Sequence, residues 1–309
     1  MTALLLLPLL LPIAVPALAR RALDRLTPAA ALWVITASAV VLAGCSLAAL
    51  GAFVLIGLLK LPVFAALGEL VRPLPTASDL VVVPAAAVSV GALAVCACTL
   101  GHAALREFRA FRTAHTEADL RPAAGDLCVV DSPHPDAYAL PGRPHRIVVT
   151  TAMLRSLDAA EREALFAHER AHNRGGHHYF LAAAELAAHC HPALRRVRGT
   201  IRLAAERAAD EAAAAAVGDR RLTARAIARA ALAGQESRSA RPDLAPAAAS
   251  GPVPHRVKAL LAAPSAPSRA APWIAALLLA CTVVSFAAST TGMLDFHHRV
   301  EIAQGEDSR

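Results

Sequence analysis

Four long, uncharged and mostly apolar runs constrain this chain more than any other feature of its sequence. They cover residues 2–19, 31–59, 80–105 and 271–291, and a helix needs roughly 20 apolar residues to cross the hydrocarbon core of a bilayer. The expected fold is therefore mainly α and integral to a membrane, with about four transmembrane helices. The excess in the 56% apolar content is concentrated in these runs, and the aromatic share is only 4%. Ala17-Leu18-Ala19 imitates a signal-peptide cleavage site, but no basic start precedes it and Arg20-Arg21 follows as a stop-transfer pair would.

Charge sets the expected orientation. The segment 20–26 is net positive, 60–79 is balanced, and the tail after 291 carries more acids than bases. By the positive-inside rule 106–270 faces the cytosol and 292–309 forms a short extracytoplasmic tail. The expected location is the plasma membrane, with a lipid bilayer as partner. A net charge of +7 could suggest nucleic acid, yet only Lys60 and Lys258 are lysines and no basic stretch alternates with aromatics. No nucleic-acid partner is expected. Of six cysteines, only Cys128 and Cys190 fall outside the runs, in a reducing compartment, so free thiols are expected.

The region 106–233 has the size of one domain, opening on a polar linker. Asp126–Asp131 and Arg146–Thr151 read as short strands, separated by the turn-forming stretch 132–144, which gives a small β element. Asp158 and Glu161 form a capping-box pattern ahead of a helix over 159–174, stopped by Gly175-Gly176. Further helices are expected near 178–194 and 198–217. The Pro/Ala/Ser-rich stretch 234–270 reads as a flexible linker to the last run.

The chemistry concentrates in His168-Glu169-Arg170-Ala171-His172. Residues four apart on a helix share a face, so both imidazoles can reach one Zn²⁺ while Glu169, beside the first ligand, acts as general base on a water. A third ligand is required, and two residues compete. His178 completes HExxHxxGxxH through Gly175, but no methionine lies between it and the last run to form the turn such sites need. Glu206 opens an ExxxD whose Asp210, one turn on, can accept from the outer nitrogen of a ligating imidazole. Glu206 is the favoured third ligand. Tyr179 and His255 are candidate oxyanion stabilisers.

The run Asp136-Ala137-Tyr138-Ala139-Leu140-Pro141-Gly142-Arg143, then 146–151, then HExxH and ExxxD in that order, resembles the membrane metallopeptidases of the HtpX and CAAX-prenyl-protease group. The topology resembles that of BlaR/MecR-type antirepressor peptidases without their sensor domain. The resemblance implies a zincin-like cytosolic domain in which His168, His172 and Glu206 bind zinc and Glu169 is the base. It also implies endoproteolysis of a protein substrate at the cytosolic membrane face, either a transcriptional repressor or a misfolded membrane protein. The HtpX group usually has Asn where this chain has Asp136. The competing reading from another class is a catalytically silent zinc-binding scaffold or signalling protein, in which Glu169 would be dispensable. A transporter is disfavoured because the runs contain no Asp, Glu, Lys or Arg.

Overall fold

The computed structural model describes residues 2–58, 79–120, 123–234, 244, 252–262 and 270–305. Nearly all of the connection at 60–79, most of 234–270 and the last four residues of the tail lie outside the described residues.

The first apolar run is not one straight helix. It forms α1 (Thr2–Leu10), a 3-10 turn (Leu11–Ile13) and α2 (Val15–Arg25), with the two halves bent by 47°. Prolines cause the break: Pro12 and Pro16 have no N–H to donate, so helical bonding lapses around them. Two carbonyls near the break receive side chains from elsewhere, Ser46 Oγ donating to Pro8 O at 2.8 Å and His191 Nε2 to Leu9 O at 3.0 Å. The other runs become α3 (Pro28–Leu58), α4 (Asp79–Asp119) and α11 (Ala271–Gly305). These three are each long and apolar enough to cross a membrane, and the bent pair brings the count to four if it acts as one span.

α4 continues well past the apolar run, as one helix where a polar linker was expected. Its lower half has a partner: Phe111, Ala114 and Ala118 pack against Cys128, Leu140 and Val148 of the sheet. Arg146 secures its C-terminus, donating from Nη1 to Ala118 O at 2.6 Å while Nη2 pairs with Asp119 at 2.8 Å. α11 likewise runs beyond 291 into the segment read as a tail.

The sheet contains β1 (Ala123–Ala124), β2 (Leu127–Val130), β3 (Ala137–Leu140) and β4 (Arg146–Thr150), in the order β1-β2-β4-β3. β2 and β4 are the two expected strands and pair in parallel, while β3 pairs antiparallel with β4 on its far side. β3 lies inside the stretch read as a turn. Its four residues sit between Pro135 and Pro141, too short an alternation to stand out. Asp136 leads into it, its N–H donating to Thr150 Oγ1 at 2.9 Å, and Thr150 in turn caps α5 (Thr151–Ser156) by accepting from Met153 N–H.

Five more helices follow the sheet and α5: α6 (Ala159–Arg174), α7 (His177–Cys190), α8 (Arg195–Val217), α9 (Arg220–Gly234) and α10 (Val253–Leu261). α10 replaces part of the expected linker. Val253, Val257 and Leu260 bury against Ala214, Ala224 and Ile227 of α8 and α9, which gives this segment an apolar face to fold upon. α7 and α8 share a core with the long apolar helices. Ala31, Ile35, Ala39 and Leu42 of α3 pack with Ala184 and Ala187 of α7 and with Val197 and Ile201 of α8. Trp33 meets Phe180 edge-on at 4.7 Å.

The capping box at the start of α6 is present on both sides, Asp158 accepting from Glu161 N–H and Glu161 from Asp158 N–H. Glu161 is fully buried and also receives Arg225 at 3.0 Å and Arg229 at 2.7 Å from α9. Glu161→Ala removes a cap bond together with the hydrogen bonds from two half-exposed arginines, and should lower stability by about 2 kcal/mol, against about 1 kcal/mol for Asp158→Ala. Denaturant unfolding in detergent checks this; equal midpoints for wild type and Glu161→Ala would contradict it.

Candidate metal centre

α6 presents Ala164, Leu165, His168, Glu169, His172 and Asn173 as its buried face, the spacing of one side of an α-helix. Arg170, between the histidines, points the other way and grips Asp126 with two hydrogen bonds of 2.7 and 3.0 Å. Asn173 Nδ2 donates to Arg146 O at 3.2 Å. α6 is thus fastened to the sheet and the turn before β2 between its histidines and directly after them.

α8 crosses α6 and turns Ala205, Glu206, Ala209 and Asp210 inward. The small alanines flanking the acids let the helices approach closely. His168 Nε2 and His172 Nε2 lie 3.0 Å apart, and Glu206 Oε2 lies 3.6 Å from the first and 3.7 Å from the second. Ligand atoms around a tetrahedral Zn²⁺ with bonds of about 2.0–2.1 Å are separated by about 3.3 Å. The donor set, two imidazoles and a carboxylate, fits a metal ion in both chemistry and spacing, and all three residues are buried. Among the described residues this is the one group of three or more such side chains that converges.

Around these three side chains lies a buried polar shell. His168 Nδ1 is 3.0 Å from Asp210 Oδ1. Arg256 of α10 is 0% exposed; its Nε and Nη2 donate to the two oxygens of Asp210 at 2.9 and 2.6 Å, and its Nη1 is 3.0 Å from Glu206 Oε2. On the other flank His177 Nδ1 is 2.8 Å from His172 Nδ1. Glu169 is 0% exposed, next to His168 on the inward face of α6.

The ionisation of these groups follows from burial against neighbouring charge. Burial alone would lower His168, but hydrogen bonding to Asp210 and Glu206 outweighs it and raises the imidazole to about 9. Burial lowers His172, and burial with the neighbouring His172 takes His177 down to about 3. Burial would raise Glu206, yet the Arg256 charge and the two histidines hold it well below the usual carboxylate range. Burial would lower Arg256, and the carboxylates of Glu206 and Asp210 instead raise it.

The other residues singled out from the sequence lie apart from the three-residue group. His178 is half-buried, with its ring 4.0 Å from that of Tyr179. Tyr179 is 72% exposed. His255 is exposed, and it is the neighbouring Arg256 that enters the site. From the sequence, the pair His255-Arg256 could reach the site but reads better as a solvated linker pair, although Val253, Arg256, Val257 and Leu260 repeat at helical spacing with one charge on the apolar face. His177 was also missed; its signal is the glycine pair before it. Gly176 takes φ +59, and a Cβ on Gly175 would lie 2.5 Å from His177 Nε2, so the imidazole needs that residue to be glycine.

Metal uptake at this site must displace a proton, because His168 carries one at neutral pH and a ligand nitrogen cannot. His172 is already neutral and Glu206 already ionised, so uptake at pH 7 should release about one proton per ion. Apparent affinity should rise with pH until about 9, where His168 loses its proton unaided, and then level off. Calorimetry in buffers of different ionisation enthalpy measures the release; a value near zero at pH 7 would contradict the assignment. Glu206→Ala should abolish stoichiometric metal retention while His178→Ala leaves it intact, as read by metal analysis of the purified variants.

The geometry agrees with an independent comparison. Residues 109–192 match the profile of peptidase family M48, a span holding the sheet, α6 and α7 and ending before Glu206. No curated protein and no solved structure matches the chain. The matched segment, with both histidines and Glu169 inside it, is similar to the peptidases of family M48, in a chain that also carries helices long and apolar enough to cross a membrane.

Proposed function

We propose that this chain is a zinc-dependent endopeptidase of a cell membrane, hydrolysing peptide bonds of a protein substrate at the cytosolic membrane face. The observation that carries the reading is the convergence of His168 Nε2, His172 Nε2 and the Glu206 carboxylate in one buried cluster, with Glu169 beside them on the same helix. Zinc held by these three side chains supplies a Lewis acid that polarises a peptide carbonyl and acidifies water toward neutral pH.

The remaining roles belong to the chain's own groups. Glu169 accepts the proton of the attacking water on its carboxylate and returns it to the leaving amine. Asp210 fixes the His168 ring through Nδ1. Arg256 balances the charge of Glu206 and Asp210 and holds Asp210 in place with a bidentate grip. The positive-inside pattern supports a cytosolic catalytic region, and the core shared by α3, α7 and α8 supports a substrate that reaches the site along the membrane surface.

Glu169→Gln tests the mechanism without the natural substrate. The amide keeps size and shape but cannot take a proton, so zinc content should match wild type while self-cleavage or casein cleavage in detergent falls about 10²- to 10⁴-fold. Equal cleavage by wild type and Glu169→Gln would exclude this mechanism and favour a silent zinc scaffold.

A further inference from the structure

His168 and His172 present the same atom to the candidate metal, but the partners behind them differ. Behind His168 stands the Asp210 carboxylate. Behind His172 stands a second imidazole, His177, buried to 6% exposure. The two Nδ1 atoms are 2.8 Å apart and the ring planes meet at 86°. Two nitrogens at that distance share a single proton, since two N–H groups facing each other would repel.

We propose that His177 is a positioning residue for His172: its Nδ1 lone pair accepts the Nδ1–H of His172 and fixes that ring with Nε2 bare toward the metal. This rests on the zinc reading above. Neutral imidazole carries one N–H, so seating it on Nδ1 of His172 leaves Nε2 as the ligand atom. His177 is then the opposite tautomer, with its own proton on Nε2. Its place is fixed by the chain around it. Gly175 leaves room for the ring, the left-handed Gly176 starts α7 so that His177 is its first residue, and Phe180 one turn on is wedged against Trp33 of α3. Partners of this kind keep a ligating imidazole in orientation, and their removal weakens metal affinity by roughly 10- to 100-fold.

The test is zinc affinity of the full-length protein in detergent, by competition with a fluorescent chelator, with thermal unfolding of the metal-free protein alongside. His177→Leu keeps the bulk but removes the acceptor, and should bind zinc about 10- to 100-fold more weakly. His177→Asn puts an amide oxygen where Nδ1 stood and should recover most of that loss. Gly175→Ala, which crowds the His177 ring, should weaken zinc with His177 still present. If His177→Leu does not fold, the contrast between His177→Ala and His177→Asn carries the same comparison. Wild-type affinity in His177→Leu, or equal losses in Leu and Asn variants, would overturn the proposal while leaving the zinc reading standing. A wild type that takes up no zinc would overturn both.

Discussion

The peptidase region depends on a buried network of opposite charges in which Arg256 is held between Asp210 and Glu206, with His168 against both acids. Each of these residues is almost wholly removed from water. An isolated ion there would cost several kcal/mol, and removing one partner of a buried pair typically costs about 3–5 kcal/mol. The network is therefore all or nothing. It obliges α6, α8 and α10 to come together in one arrangement, because each supplies a member that the others cannot leave unpaired. α10 is nine residues long and could not persist as an isolated helix. Its fold depends on the arginine's partners, on the apolar contacts of Val253, Val257 and Leu260, and on Arg220, which donates to the carbonyls at its C-terminus.

The same network arranges the site for metal chemistry. Arg256 offsets the carboxylates of Glu206 and Asp210, so that both acids can be buried beside the imidazoles without being protonated. The outer nitrogens of the two histidines are then engaged from opposite sides, one by a carboxylate and one by an imidazole. The membrane helices take part directly. α3 packs along α7 and α8, and α4 runs from the apolar region to the sheet as one continuous helix. α7 and α8 thus share a core with the span bundle.

The sequence disclosed the elements whose signals are local. The capping box of Asp158 and Glu161, the glycine stop at 175–176 and the four-residue spacing of the histidines each act within one helix, and α6 formed as expected. The long apolar runs are local signals too, although prolines at 8, 12 and 16 bent the first. Glu206 and Asp210 were legible as a pair because one helical turn separates them. What stayed hidden depends on long-range partners. β3 is defined by β4 and α6 rather than by its own four residues. α10 and Arg256 could be placed only with Asp210, Glu206 and the α8–α9 groove in view, and a Pro/Ala/Ser-rich setting argued for a linker. His177 was overlooked beside His178, since adjacent histidines differ only in which face of α7 they occupy.

The central claim is that two imidazoles and the Glu206 carboxylate hold the catalytic ion. X-ray absorption at the zinc edge on the purified, metal-loaded protein tests it most directly. The account predicts a first shell of nitrogen and oxygen at about 2.0–2.2 Å, with outer-ring scattering from two imidazoles. Scattering from three imidazoles would put a further histidine in place of Glu206, and a sulfur shell at about 2.3 Å would bring in a cysteine. Either result would contradict the site described for this chain.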